Sequence, residues 1–251
     1  MMRRTVFCLL AAFCLCALSS VSVQAQVTCE VKEGPFVEND TTFLRKIYYK
    51  SPNPSECYTH SLYVETDRRS SAYQDFLRCS YDADFDMPWM LSQIDAVCRK
   101  FALSADLPDA LNGIYLPLYK FQGRYYLYTV CEGKVWMQIA KPFFIARYAG
   151  ESVPYGIVRA GQTSESYRLQ VDNGWDKSLR TIEIFPIGEE KGVYVWKCRS
   201  EDGDVSYELY VEKSKAEAFD LLNWRITELE DEFDKFEPID YEGIIRAKKL
   251  F

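Results

Sequence analysis

Histidine is almost absent from this chain, and His60 is its single example. A zinc site with three histidine ligands is therefore excluded, as is a metalloprotease helix that carries two histidines. A Ser-His-Asp triad would have to use His60, and no serine lies in a glycine-flanked nucleophile turn. Cys57 and His60 have the spacing Cys-x-x-His, but no second close pair completes a four-ligand zinc site. We expect His60 to be an ordinary strand residue.

Two further absences narrow the function. The chain has neither a Gly-x-x-x-x-Gly-Lys-Ser/Thr loop nor a Gly-x-Gly-x-x-Gly loop, the usual cradles for phosphates. Positive charge is in deficit, because the formal net charge is −7 for the full chain and −9 once Arg3 and Arg4 are removed with the leader described below. Nucleic acids and anionic membrane surfaces are bound by clustered lysine and arginine, so the composition argues against both. A basic partner or a cation remains compatible with this charge, and plain solubility is the simpler explanation.

The only long apolar run is at the N-terminus, and it is shorter than the ~20 residues that a membrane-spanning helix requires. Arg3 and Arg4 precede this run, and Val23 and Ala25 occupy the third and first positions before a typical cleavage site. We therefore predict a signal peptide over residues 1–25.

Two anchored alternatives to this signal peptide fit less well. An uncleaved anchor would need a longer apolar run. A lipoprotein anchor would need a small residue before Cys14 or Cys16, where the chain has phenylalanine and leucine. The prediction is a single exported domain over residues 26–251, periplasmic or extracellular, with no membrane span after cleavage.

Six cysteines remain after the leader is removed: Cys29, Cys57, Cys79, Cys98, Cys131 and Cys198. An even number of cysteines in an exported chain predicts disulfide bonds, although the sequence does not determine how they pair. Cys131 with Cys198 is the favoured pair, because both residues end predicted strands. The alternative is a set of buried free thiols, which behave as small apolar side chains.

The fold class is predicted to be α+β and mostly antiparallel β. From about residue 110 to 212, short strands alternate with tight turns, such as Gln122-Gly123 and Asp202-Gly203, which is typical of a sandwich or an up-and-down barrel. Alternation assigns Ile182 and Ile184 to one face of their strand. Two earlier strands are predicted over residues 44–50 and 58–65, after an irregular segment over residues 26–39.

Helical periodicity is predicted on both sides of this β region. Residues 67–101 have the pattern of a helical pair, with apolar residues at helical spacing. A C-terminal helix is predicted over residues 214–224, where Ser214 and Glu217 have the spacing of a capping box. An acidic tail follows.

The sharpest local cluster of polar residues is Asp82, Asp84 and Asp86. Three carboxylates at alternate positions can converge on Ca²⁺, and their spacing matches the first half of an EF-hand loop. The match ends there, because Met87 and Gln93 stand where that loop has glycine and glutamate. A calcium loop is therefore one hypothesis, and a solvated acidic linker that ends in a helix cap is the favoured one. No other cofactor is predicted.

Aromatic residues crowd the predicted β region. They are Tyr115, Tyr119, Tyr125, Tyr126, Tyr128, Trp136, Tyr194, Trp196, Tyr207 and Tyr210. Such residues either line a stacking platform for a ligand or fill a core, and strand propensity alone accounts for the core assignment. We therefore expect most of them to be core residues.

The sparse catalytic inventory favours a non-catalytic function. The preferred hypothesis is an exported binding or interaction module of the cell envelope, with an unidentified protein or small ligand as its partner. The alternative is a secreted hydrolase that uses a pair of carboxylates, and the sequence cannot identify two acids that face each other.

Overall fold

The structure is a computed structural model that describes residues 28–50, 53, 57–79, 86–103, 108–129, 135–148, 151–174, 179–188, 192–225 and 236–250. The strands in these ranges are β1 (Thr28–Glu38), β2 (Thr41–Lys50), β3 (Tyr58–Glu65), β4 (Gly113–Pro117), β5 (Tyr119–Phe121), β6 (Arg124–Thr129), β7 (Trp136–Ala140), β8 (Phe143–Tyr148), β9 (Glu151–Gln162), β10 (Tyr167–Asp172), β11 (Arg180–Ile187), β12 (Val193–Arg199), β13 (Val205–Glu212) and β14 (Leu221–Arg225). The α-helices are α1 (Ser71–Leu77), α2 (Asp86–Lys100) and α3 (Tyr241–Ala247), and 3₁₀ helices lie at Asp109–Leu111 and Lys213–Ala218.

Eight of these strands form a closed barrel, in the order β10-β11-β12-β13-β4-β7-β8-β9, and all the neighbours are antiparallel. The barrel interior is filled by large side chains, with Trp196 at its centre. The indole ring of Trp196 lies 4.6 Å from the ring centroid of Tyr210, 5.1 Å from that of Tyr115 and 5.8 Å from that of Phe144. The predicted antiparallel β unit is confirmed, and it is a barrel.

The remaining strands form a second, six-stranded sheet, in the order β1-β2-β3-β14-β6-β5. Strand β14 runs parallel to β6 and antiparallel to β3. The β5–β6 hairpin turns at Gln122-Gly123, where both residues have positive φ. The sequence places this hairpin in the same β unit as its neighbours in the chain. In the structure it leaves the barrel and joins the sheet, because Leu127 and Tyr128 pair with the buried strand β14.

A shared core joins the barrel to the sheet. The barrel residues in this core have side chains that point outward from the barrel wall. The six-stranded sheet and helix α1 cover these side chains. Val195, Leu209 and Val211 come from the barrel, Tyr73 comes from α1, and Leu221 comes from the sheet. All five are at most 1% exposed. Barrel and sheet therefore bury one continuous apolar layer between them.

Two predicted segments differ from the structure. Residues 26–39 are predicted to be irregular, but β1 begins at Thr28 and pairs with β2 through a turn at Asn39-Asp40, where both residues have positive φ. This backbone geometry is typical of a two-residue hairpin. The predicted helix over residues 214–224 is instead a 3₁₀ helix followed by β14. Four consecutive buried residues make β14 a central strand, whose two apolar faces obscure the strand periodicity.

The predicted helical pair is confirmed and corresponds to α1 and α2. A C-terminal helix is also present, but it is α3 and not the predicted segment over residues 214–224. Ser70 caps α1 by accepting a hydrogen bond from the amide of Tyr73, and Asp240 caps α3 in the same way through Gly243. Among the described residues, no helix is long and apolar enough to cross a membrane.

We predict that the shared core is a major source of stability. Replacing Leu209 by alanine should lower the free energy of unfolding by about 2–5 kcal/mol, because it opens a cavity where both faces of the wall are packed. Leu91, which is 56% exposed on α2, provides a matched control, and its replacement by alanine should cost less than about 0.5 kcal/mol. Urea unfolding of the wild type and the two variants measures both values. Equal losses for the two variants would contradict the importance of the shared core.

Candidate functional site

The two ends of the barrel differ in polarity. One end is closed by the 3₁₀ helix Asp109–Leu111, where Leu111 is 1% exposed and its carbonyl oxygen accepts a hydrogen bond of 2.9 Å from the Tyr115 hydroxyl. At the other end, four inward-facing polar side chains come together. We call this group the polar end, and it comprises Tyr148, Arg180, Cys198 and Glu208.

Strand periodicity places these residues inside the barrel. Arg180 precedes Ile182 on β11 by two residues, and Cys198 follows Trp196 on β12 by two residues, so each shares the inward face of its neighbour. Glu208 lies directly opposite Trp196 in the β12–β13 register. Along the ladders, Glu208 therefore lies one inward position below Cys198 and two below Arg180.

Arg180 is a half-buried cation at this end. Its guanidinium carbon lies 5.3 Å from the centroid of the Tyr155 ring, which is cation–π distance. Among the described residues, no carboxylate forms an ion pair with it. Arg68 and Arg124 behave differently, because both bind the carboxylate of Asp220, at 2.8 Å and 3.3 Å.

Glu208 lies on the opposite side of the polar end. One of its carboxylate oxygens accepts a hydrogen bond from the buried hydroxyl of Tyr210. Glu208 and Tyr210 also line a cavity of about 150 Å³, and Phe236 and Tyr241 form another part of its wall. The carboxylate is exposed, so its remaining acceptor positions are accessible to a ligand.

The other titratable groups of the polar end remain protonated at neutral pH. Burial raises the pKa of the Cys198 thiol to about 12, and the charge of Glu208 adds to this increase while Arg180 opposes it. Burial and Glu208 likewise raise the pKa of the Tyr148 and Tyr210 hydroxyls. The polar end therefore presents one cation and one carboxylate, with neutral hydrogen-bond donors between them.

Trp196 adds a donor in the same ladder row as Glu208. Its side chain is 1% exposed, and its indole Nε1–H has no acceptor among the described residues. A buried donor without an acceptor is costly, and native structures usually satisfy it with protein, water or a ligand. An acceptor atom that reached this nitrogen would satisfy the donor.

The predicted calcium loop lies mostly outside the described residues. Asp82 and Asp84 are not described, and Asp86 is the first residue of α2. Within the described part of the chain, no group of three or more potential metal ligands is found. The calcium hypothesis therefore stays a prediction.

His60 is a strand residue, as expected, and its side chain is buried in the core. It is 3% exposed on β3, and its ring lies 4.9 Å from the ring centroid of Tyr49, 5.2 Å from that of Tyr58 and 5.6 Å from that of Trp224.

Six of the ten aromatic residues that were expected to be mostly core residues are buried. They are Tyr115, Tyr126, Tyr128, Trp136, Trp196 and Tyr210.

The favoured disulfide is not formed. Cys198 has a free thiol inside the barrel, while Cys131 lies outside the described residues. Period-two alternation explains the difference, because it turns Cys198 toward the barrel interior beside Trp196. No disulfide bond joins any two of the described cysteines, which are Cys29, Cys57, Cys79, Cys98 and Cys198.

Tyr148, Arg180 and Glu208 were not predicted as site residues from the sequence. A signal was available, because alternation assigns Ile182 and Ile184 to one face and Arg180 is the next residue on that face. What alternation could not show is that β8, β11 and β13 bring these side chains to the same end of a barrel.

Comparisons with known proteins add no information, since no protein family, curated protein or solved structure matches the chain.

The burial of Cys198 gives a testable order of thiol reactivity. At neutral pH, iodoacetamide should label exposed Cys29 and Cys98 rapidly and Cys198 about a thousandfold more slowly, because only the thiolate reacts. Labelling of Cys198 should increase only above about pH 9, where unfolding is also favoured, since the unfolded thiol ionises at a lower pH than the folded one. Mass spectrometry of the labelled peptides measures the rates. Equal rates for Cys98 and Cys198 would contradict the assignment of Cys198 to the barrel interior.

Proposed function

We propose that the protein is an exported, non-catalytic binding module of the cell envelope that takes a small polar ligand at the polar end of its barrel. The observation that carries this proposal is the convergence of Tyr148, Arg180 and Glu208 at one end of an otherwise apolar barrel. Ligand sites are commonly apolar concavities with a few converging polar groups, and the mouths of β-barrels are among their usual locations.

The shape of the barrel supports a shallow site. Trp196, Tyr210 and Phe144 fill the interior below the polar end, so a ligand would rest on these rings instead of entering the barrel completely. The cavity beside Glu208 has a volume of about 150 Å³, which is enough for a benzene-sized molecule. The site therefore suits a ligand of a few non-hydrogen atoms, or one such group of a larger molecule.

The exported location rests on the leader. Residues 1–25 have the basic start, apolar centre and cleavage positions of a signal peptide. Mass spectrometry of the protein from fractionated cells would test this location. A chain that begins at Gln26 outside the cytoplasm is expected, and an intact leader on a cytoplasmic protein would contradict it.

A hydrolase is the second candidate function, because two carboxylates line the same cavity. They belong to Glu208 and Glu237. Glu237, however, accepts a hydrogen bond of 3.0 Å from the amide of Gly123 and lies 3.6 Å from the ammonium of Lys120. These contacts give Glu237 a structural role and leave Glu208 without a free acidic partner, which favours binding over hydrolysis. Turnover of nitrophenyl glycosides that is lost in Glu208→Gln would favour the hydrolase instead.

We predict that Glu208 is required for ligand binding. In a thermal-shift screen of small sugars, sugar acids, amino acids and dipeptides, compounds that raise the Tm of the mature chain should lose most of this effect in Glu208→Ala. Glu201→Ala is the matched control, because Glu201 is exposed on the turn between β12 and β13, and it should respond like the wild type. A screen without any stabilising compound, or stabilisation that is equal in Glu208→Ala, would contradict the proposed site.

A further inference from the structure

Arg180 is the group at the polar end that most strongly restricts the chemistry of a ligand. Its guanidinium is half-buried against the Tyr155 ring, and no described carboxylate forms an ion pair with it. The chain has 37 acidic residues and 30 basic ones, so acids to pair with a half-buried arginine are abundant. A partly buried guanidinium whose N–H groups are not paired with a carboxylate of the protein is a common binding group for the carboxylate or phosphate of a ligand.

The surroundings of Arg180 favour a carboxylate over a phosphate. The polar end supplies one guanidinium and also holds the carboxylate of Glu208, which would repel a doubly charged phosphate. A carboxylate carries a single charge, and its two oxygens match the fork of one arginine. The second oxygen also provides an acceptor for a neighbouring donor.

Trp196 is that neighbouring donor. Its indole N–H is buried without an acceptor among the described residues, and it lies on β12, between the strands of Arg180 and Glu208. Glu208 faces Trp196 across the β12–β13 ladder and provides an acceptor. Arg180 and Trp196 therefore provide donors for a ligand carboxylate, and Glu208 provides an acceptor for a ligand hydroxyl or ammonium group.

The distances in the barrel set the size of the ligand. Strands β11 and β13 are separated by β12, and Arg180 lies four residues along its strand from the ladder row of Glu208. The backbones at Arg180 and Glu208 are therefore roughly 16 Å apart, and both side chains extend into this gap. Arg180 and Trp196 do not line the cavity of about 150 Å³ beside Glu208, which has room for about six non-hydrogen atoms and would hold the part of the ligand that binds Glu208. A small α-substituted acid has this size.

We propose that the polar end binds the carboxylate of a small hydroxy acid or amino acid, with Arg180 and the Trp196 indole as donors to the carboxylate and Glu208 as acceptor for the neighbouring hydroxyl or ammonium group. This inference rests on the proposed binding function and names its ligand class. Hydroxy acids and amino acids share the required chemistry, and the experiment distinguishes them.

Four matched probes test the assignment on the ¹⁵N-labelled mature chain. Lactate carries a carboxylate with a neighbouring hydroxyl group, and alanine carries a carboxylate with a neighbouring ammonium group. Lactamide replaces the carboxylate of lactate by a neutral amide. Propionate keeps the carboxylate but lacks the hydroxyl or ammonium group. The five tryptophans give five indole signals, and that of Trp196 is assigned with Trp196→Phe. Lactate or alanine should move the Trp196 signal, propionate should bind more weakly, and lactamide should leave it in place. A larger effect of lactate than of alanine identifies a hydroxy acid, and the reverse identifies an amino acid.

Variants at two arginines separate recognition from folding. Arg180→Gln should weaken binding of the active probe by at least about tenfold, since a charged hydrogen-bonded pair is lost. Arg180→Lys should retain part of the affinity, because it keeps the charge without the fork. Arg199→Gln is the matched control, because Arg199 is exposed at the same end of the barrel, and it should bind like the wild type. The wild-type comparison of lactate with lactamide needs no variant, so it remains valid if Arg180→Gln fails to fold.

The outcomes distinguish this inference from the proposed function. An equal response to lactate and lactamide would overturn the carboxylate assignment. A stabilising compound from the thermal-shift screen that leaves the Trp196 signal unmoved and binds Arg180→Gln normally would also overturn it, while the binding function would stand. A complete absence of stabilising compounds in that screen would count against the binding function itself.

Discussion

The structure depends on a barrel wall that is apolar on both of its faces. On β12, Val193 and Val195 point outward while Trp196 points inward, and all three are buried. A wall of this kind cannot leave its outer face in water without a large hydrophobic penalty, so it needs a cover. Helix α1 and the six-stranded sheet provide that cover, which is why the barrel and the sheet share one core.

The same wall determines where polar chemistry is located. Inside the barrel, aromatic rings occupy the middle layers, and Leu111 closes one end. Polar inward side chains occur where the strands reach the opposite end, and there the charges of Arg180 and Glu208 both act on the Cys198 thiol. The low polarity beneath them strengthens their interactions with an incoming ligand. The candidate site is therefore a consequence of how the barrel is packed, with an apolar floor and a charged rim.

Local sequence patterns predicted much of this fold. Strand β13 and the turn at Gly203 follow from alternation and from an Asp-Gly pair, and both are found in the structure. The failures occurred where local patterns were ambiguous. Residues 214–224 have helical spacing and a capping signal, yet Leu221 and its neighbours form a central strand, because burial on both faces removes the period of two. At the site, alternation was sufficient to place Arg180 beside Ile182 but not to bring it to Glu208.

The sequence by itself therefore determined which residues of each strand share a face, where the tight turns fall and how few catalytic groups are present. Those properties depend on residues a few positions apart. The tertiary structure alone decided that β14 inserts between β3 and β6, that the β5–β6 hairpin leaves the barrel, and that three distant strands bring Tyr148, Arg180 and Glu208 together. Strand pairing over long separations depends on the burial of whole faces, and no local period encodes which faces meet.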